Sequence, residues 1–298
     1  MNAQSVREQV CLIGRPSPLV GVLTAPANPV RPNCMMLILN SGVIHRVGAC
    51  RLSVEVARGF SEKAGMSSFR FDYSGLGDSP VRRTELGRDE LAQSEIGEVM
   101  DYLQASQGVS QFILFGLCSG ARDAVHVAAG DERVVGVVQL DGYAYRNWRY
   151  YFTHYRARVF NFGAWKGLLA KVFAKLWSRV GRLIMPVSDE SASARKVELG
   201  AEVNWGEYPP CSEIAAVYRS LAQRSVRLFV QFTGSWDDQY NYSGQFFDMF
   251  SEVNFGDTVN ERLCPQLDHI HSDPRSRREL TEALAAWASS YVEDQGRN

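Results

Sequence analysis

The sequence predicts an α/β fold, a mostly parallel central sheet flanked by helices on both faces, interrupted by one helical insertion. Two observations lead there. Short apolar runs of strand length alternate with longer segments whose apolar residues recur at helical spacing. One such run passes through a glycine-framed turn into a helix of small residues, Phe112-Ile113-Leu114-Phe115-Gly116-Leu117-Cys118-Ser119-Gly120. At 298 residues the chain suits one large domain, or a core carrying a cap, and can bury its core without covalent staples.

The elements follow in order. Residues 8–13 and 19–25 read as an opening hairpin, and 35–39 as a buried strand. Residues 51–64 place Leu52, Val54, Val56 and Phe60 at helical spacing and stop before Gly65. Strand 67–73, helix 90–103, strand 111–117, helix 120–129 and strand 134–140 continue the alternation. After a long interruption come strand 226–233, a short helix at 245–250, a strand at 261–267 and a closing helix at 278–292. A dinucleotide-binding sheet shares this alternation but needs Gly-x-Gly-x-x-Gly behind its first strand. The nearest approach, Gly75-Leu76-Gly77, lacks the third glycine and a helix directly behind it.

The turn at Cys118 is the strongest local signal. A very sharp strand-to-helix turn strains the residue at its apex and requires tiny neighbours two positions away on each side, which Gly116 and Gly120 supply. The apex side chain then stands at a helix N-terminus, where the dipole favours a thiolate. A lone cysteine is more often a buried small hydrophobe, and the two glycines are what distinguish this one. Ser119 lies off the apex; its backbone N–H is cast instead as an oxyanion donor. A nucleophile elbow of this kind is the mark of the α/β-hydrolase fold, in which the acid and then the histidine follow the nucleophile in chain order. His269 directly follows the last strand and is the expected base, with His271 as the alternative. His45 precedes the elbow, His126 lies within the following helix and His154 lies in the insertion. The acid is expected on the loop Gly234-Ser235-Trp236-Asp237-Asp238, at Asp237, with Asp238 and the strand-end Asp141 as alternatives. The loop Asn40-Ser41-Gly42-Val43 should give the second oxyanion donor, the N–H of Val43, and substrate contacts from Asn40, Ser41 and Gly42, joined by Trp236.

These stretches resemble a known group. Residues 40–48, Asn-Ser-Gly-Val-Ile-His-Arg-Val-Gly, are similar to a loop of serine aminopeptidase-like α/β-hydrolases, including the exosortase-associated hydrolases of bacterial polysaccharide loci. The turn Asp72-Tyr73-Ser74-Gly75-Leu76-Gly77-Asp78-Ser79 looks like the strand-end turn common to that superfamily. The resemblance covers residues 19–141 and 225–292. It implies the fold and triad chemistry, without a substrate. The departure is cysteine in place of serine, a feature shared at that position alone with dienelactone hydrolases and polyhydroxyalkanoate synthases.

Cysteine matters because thioester exchange is close to isoenergetic, so an acyl group on Cys118 stays activated for transfer to an alcohol, an amine or water. The expected substrate is an acyl thioester, a coenzyme A or acyl carrier protein conjugate, and the expected enzyme an acyltransferase or thioesterase. Carboxylester hydrolysis by the same triad, or a non-catalytic binding protein on this fold, are the alternatives. The hydrolase core is expected at 1–142 and 206–298, with a helical cap at 143–205. From Gly142 to Ser188 there is no Asp or Glu, while nine Lys and Arg residues sit among twelve Trp, Tyr and Phe. Three readings stand for that segment: a solvated face over a packed cap, a docking surface for an anionic acyl donor, or a membrane-surface helix. A formal net charge of −1 argues against nucleic acid as a partner. Six scattered cysteines without CxxC spacing predict neither disulfides nor a metal site, and no cofactor is expected. Residues 1–14 lack the apolar core of a signal peptide, and no run of about 18 apolar residues occurs, so a cytoplasmic location without integral membrane contact is expected.

Overall fold

The structure, a computed structural model, describes residues 6–159 and 208–295. Eight strands form one sheet: β1 (Val6–Ile13), β2 (Leu19–Pro26), β3 (Cys34–Ile38), β4 (Ser67–Phe71), β5 (Gln111–Leu117), β6 (Val134–Leu140), β7 (Arg227–Thr233) and β8 (Val259–Cys264). Their order is β1-β2-β4-β3-β5-β6-β7-β8. The opening hairpin is antiparallel, β2 meets β4 antiparallel, and every pairing from β4 to β8 is parallel. The helices are α1 (Leu52–Ala64), α2 (Arg88–Gln107), α3 (Ser119–Gly130), α4 (Trp148–Val159), α5 (Cys211–Gln223), α6 (Gln245–Met249) and α7 (Pro274–Gln295).

The sheet is apolar on both faces because both faces are covered. On one side α2, α3, α5 and α6 contribute Ile96, Val99, Ala124, Tyr218 and Phe246 to a core built on Leu37, Phe69, Leu114 and Val137. On the other, α1 and α7 bring Val56, Phe60, Leu284 and Trp287 onto Met36, Ile38, Ile113 and Val138. Arg277 ties these two helices through Glu55, Nε to Oε2 at 2.7 Å. The chain leaves β3 toward β4 on one side and returns to β5 on the other. The crevice beyond the carboxyl ends of β3 and β5 is thus a topological switch point, the place where open α/β sheets bind ligands.

Two elements depart from expectation. Helix α5 had no predicted counterpart, although Ile214, Ala215, Tyr218 and Leu221 form a buried face at helical spacing. Strand β8 lies two to three residues earlier than expected, because Pro265 has no N–H to continue the ladder. The chain divides into two compact units, Met1–Arg146 with Cys211–Asn298, and Asn147–Pro210. In the second, Asn147 Oδ1 accepts the N–H of Tyr150 at the start of α4, and Trp148 and Phe152 are exposed. The remaining basic and aromatic residues behind the insertion reading, from 160 to 188, lie outside the described residues.

Candidate active site

Cys118 sits at the apex of the β5–α3 turn with φ 55° and ψ −114°, a conformation that L-residues rarely adopt. The turn closes only because its flanks are glycine. A Cβ on Gly116 would lie 2.2 Å from the Gly120 backbone, and one on Gly120 would lie 2.4 Å from Asn40 O. The second contact brings the loop after β3 against the start of α3. Cys118 N–H donates to Leu140 O, on the last residue of β6, at 2.9 Å, which carries the β5–β6 pairing one residue beyond β5. Cys118 is half-buried, and the elbow expected from the sequence is present.

His269 lies on the loop after β8, with its Nδ1 2.7 Å from Asp141 Oδ2. Asp141 is the first residue past β6, fully buried, with φ 48°, a left-handed conformation that Asp tolerates better than most residues. Thr233 also holds it, donating its N–H to Oδ1 and its hydroxyl to Oδ2, both at 2.7 Å. The bond to Asp141 is the largest reason the His269 ring is pushed up to about 9, and the neighbouring Cys118 side chain adds to it against the opposing effect of burial. Thiol, imidazole and carboxylate are therefore neighbours, brought together from the turns that follow β5, β8 and β6.

The carboxylate that meets His269 Nδ1 is that of Asp141, the strand-end alternative to the favoured Asp237. After β7 the chain enters a short 3-10 turn, Gly234–Trp236, which delivers Asp237 and Asp238 to the surface. Asp238 faces Arg146, whose Nε donates to its carbonyl at 2.6 Å. His271, the alternative base, is buried in the core beside Gln231, and burial pushes its ring down. His126 on α3 meets the Tyr143 hydroxyl at 2.8 Å and is held down by burial as well.

The loop after β3 forms a tight turn, with Ile44 N–H donating to Ser41 O at 3.0 Å. Gly42 N–H is occupied, donating to the Ser119 hydroxyl at 2.7 Å, and this bond latches the loop to the elbow. The N–H groups of Val43 and Ser119 have no acceptor among the described residues. Asn40, expected to touch substrate, is spent on the loop: its Nδ2 donates to Ile44 O and its Oδ1 accepts Tyr73 N–H. Asp72 anchors the same loop from below, accepting from the Arg46 backbone and guanidinium. Trp236, also expected to touch substrate, stacks on the His269 ring with centroids 5.1 Å apart and planes 11° from parallel. No cluster of three metal-ligating side chains occurs among the described residues.

This sheet order with an elbow at β5 is the α/β-hydrolase fold, and solved structures agree. An esterase from Pyrococcus furiosus superposes with TM-score 0.58 at 13% identity, over 97% of this chain and 92% of its own. An α/β serine hydrolase homologue from Coxiella burnetii gives 0.53 at 14%, over 93% and 96%. A lidless α/β serine hydrolase from Xanthomonas campestris gives 0.53 at 14%, over 96% and 95%. No family model matches the chain, and no curated protein matches it in sequence.

Proposed function

We propose that the protein is an acyl-transfer enzyme working through a thioester on Cys118. One observation carries the reading: a cysteine in strained geometry at the elbow apex, beside an imidazole whose far nitrogen is held by a buried carboxylate. Asp141 fixes the His269 tautomer, so that Nε2 is the atom that takes the thiol proton. The thiolate attacks the substrate carbonyl carbon, and the oxyanion accepts the N–H groups of Val43 and Ser119. Collapse expels the leaving thiolate, which recovers the proton from the imidazolium. An acceptor hydroxyl, amine or water then gives its proton to His269, attacks the acyl carbon and releases Cys118.

Cysteine favours an acyl thioester as substrate, since both sides of the exchange are thioesters and the acyl group stays activated. The basic composition of residues 142–188 supports an anionic donor such as a coenzyme A or acyl carrier protein conjugate. Carboxylester hydrolysis through the same residues is the second reading, favoured by the esterase among the similar structures. Intact mass after incubation with acyl thioesters of graded length tests the proposal. One acyl group should be retained, mapping to Cys118 and lost in Cys118→Ala; turnover that survives Cys118→Ala would overturn it.

A further inference from the structure

The turn after β7 is where this fold ordinarily places its acid, yet here the acid comes from β6. Each residue of that turn instead engages the histidine loop. Gly234 N–H donates to Leu267 O at 2.9 Å, and a Cβ on Gly234 would lie 2.0 Å from Pro265 O, so glycine permits the approach. The Ser235 hydroxyl accepts the backbone N–H of His269 at 3.1 Å. Trp236 lays its indole flat on the imidazole. The indole Nε1 is buried without a hydrogen-bond partner, so its polar end does not explain the residue. The ring face does, because an aromatic face within about 6 Å favours a cation above it.

We infer that Gly234-Ser235-Trp236 is a clamp that positions His269, with Trp236 as the positioning residue that holds the ring between Cys118 and Asp141 and stabilises its protonated form. This deepens the acyl-transfer reading and rests on it for its kinetic consequence. The stacked indole closes one face of the imidazole. Asp141 meets its Nδ1, Cys118 is a neighbour, and Asp268 and His271 lie within its own loop. The indole stacks on the ring face, with centroids 5.1 Å apart.

The test uses the full chain and two substitutions at one site. Trp236→Phe keeps an aromatic face and removes the N–H; Trp236→Leu removes the face. Ring-proton NMR should show the His269 titration unchanged in Trp236→Phe and moved to lower pH in Trp236→Leu. Turnover should follow, with kcat near wild type for Phe and lower by about fivefold to tenfold for Leu, at KM unchanged. A second readout needs no substitution at Trp236. Wild-type tryptophan emission should change with pH along the His269 titration, and His269→Gln should abolish that change. Equal titrations in the Phe and Leu variants, or emission indifferent to His269, would overturn the clamp. The NMR and emission arms stand whether or not Cys118 carries the acyl group, so failure of the chemical reading, seen as turnover in Cys118→Ala, is separately visible.

Discussion

Three features set Asp141 apart from the exposed Asp237: it is buried, its carboxylate borders the imidazole, and it accepts two bonds from Thr233. Asp141→Asn should therefore lower kcat by about 10⁴-fold, because an amide nitrogen facing Nδ1 selects the wrong tautomer. Asp237→Asn should leave steady-state rates near wild type. The sequence made Cys118 and His269 legible because each is marked by its immediate neighbours, glycines in one case and a strand end in the other. The acid was harder to read, because two strand ends each offer an aspartate and only the direction of the following turn separates them. The charge state of His269 also has a stability consequence. Its folded value, about 9, lies above the ordinary 6.5, so the stabilisation is complete below 6.5 and is lost as pH rises toward 9. Melting temperatures of wild type and His269→Ala should thus differ most at about pH 6 and converge as pH rises through 9; a constant difference would refute the linkage.

Among the elements, the β5–α3 turn is the least tolerant of added atoms. Gly116→Ala places a methyl group in the Gly120 backbone, and Gly120→Ala places one against Asn40 O. Neither neighbour is a flexible side chain, so each substitution should cost about 3 kcal/mol or more in denaturant unfolding, with activity lost alongside. Most elements were legible from periodicity, since parallel strands are buried on both faces and read as short apolar runs. Helix α5 escaped because its first turn, Cys211-Ser212-Glu213, precedes the buried face and follows a long segment without a clear period. Helix α7 begins at Pro274, earlier than its apolar pattern suggested, since proline suits the first helical turn. The loop after β3 shows how much of a site rests on bonds between elements. Its latch to Ser119 and its anchor on Asp72 join residues 77 and 26 positions apart, and neither is marked by local sequence pattern.

For the whole molecule, the near-neutral net charge conceals an uneven distribution, with the basic residues of 142–188 unopposed by any acid in that segment. If that segment receives an anionic donor, reversing the charges of Arg156, Arg158, Lys171 and Lys175 should raise KM for a phosphate-bearing thioester and leave a small neutral thioester unaffected. The difference should shrink as salt rises, and equal responses from both donors would dismiss the docking role. The sheet itself has a consequence of a different kind. Cys118 and Asp141 are the first residues beyond β5 and β6, so sulfur and carboxylate belong to a single strand–helix–strand crossover, while His269 stands 128 positions from Asp141. In terms of descent, two of the three reactive groups form one heritable block. A recombination junction between residues 142 and 210 transmits them together and leaves only the histidine to be supplied by whichever carboxyl-terminal half is joined.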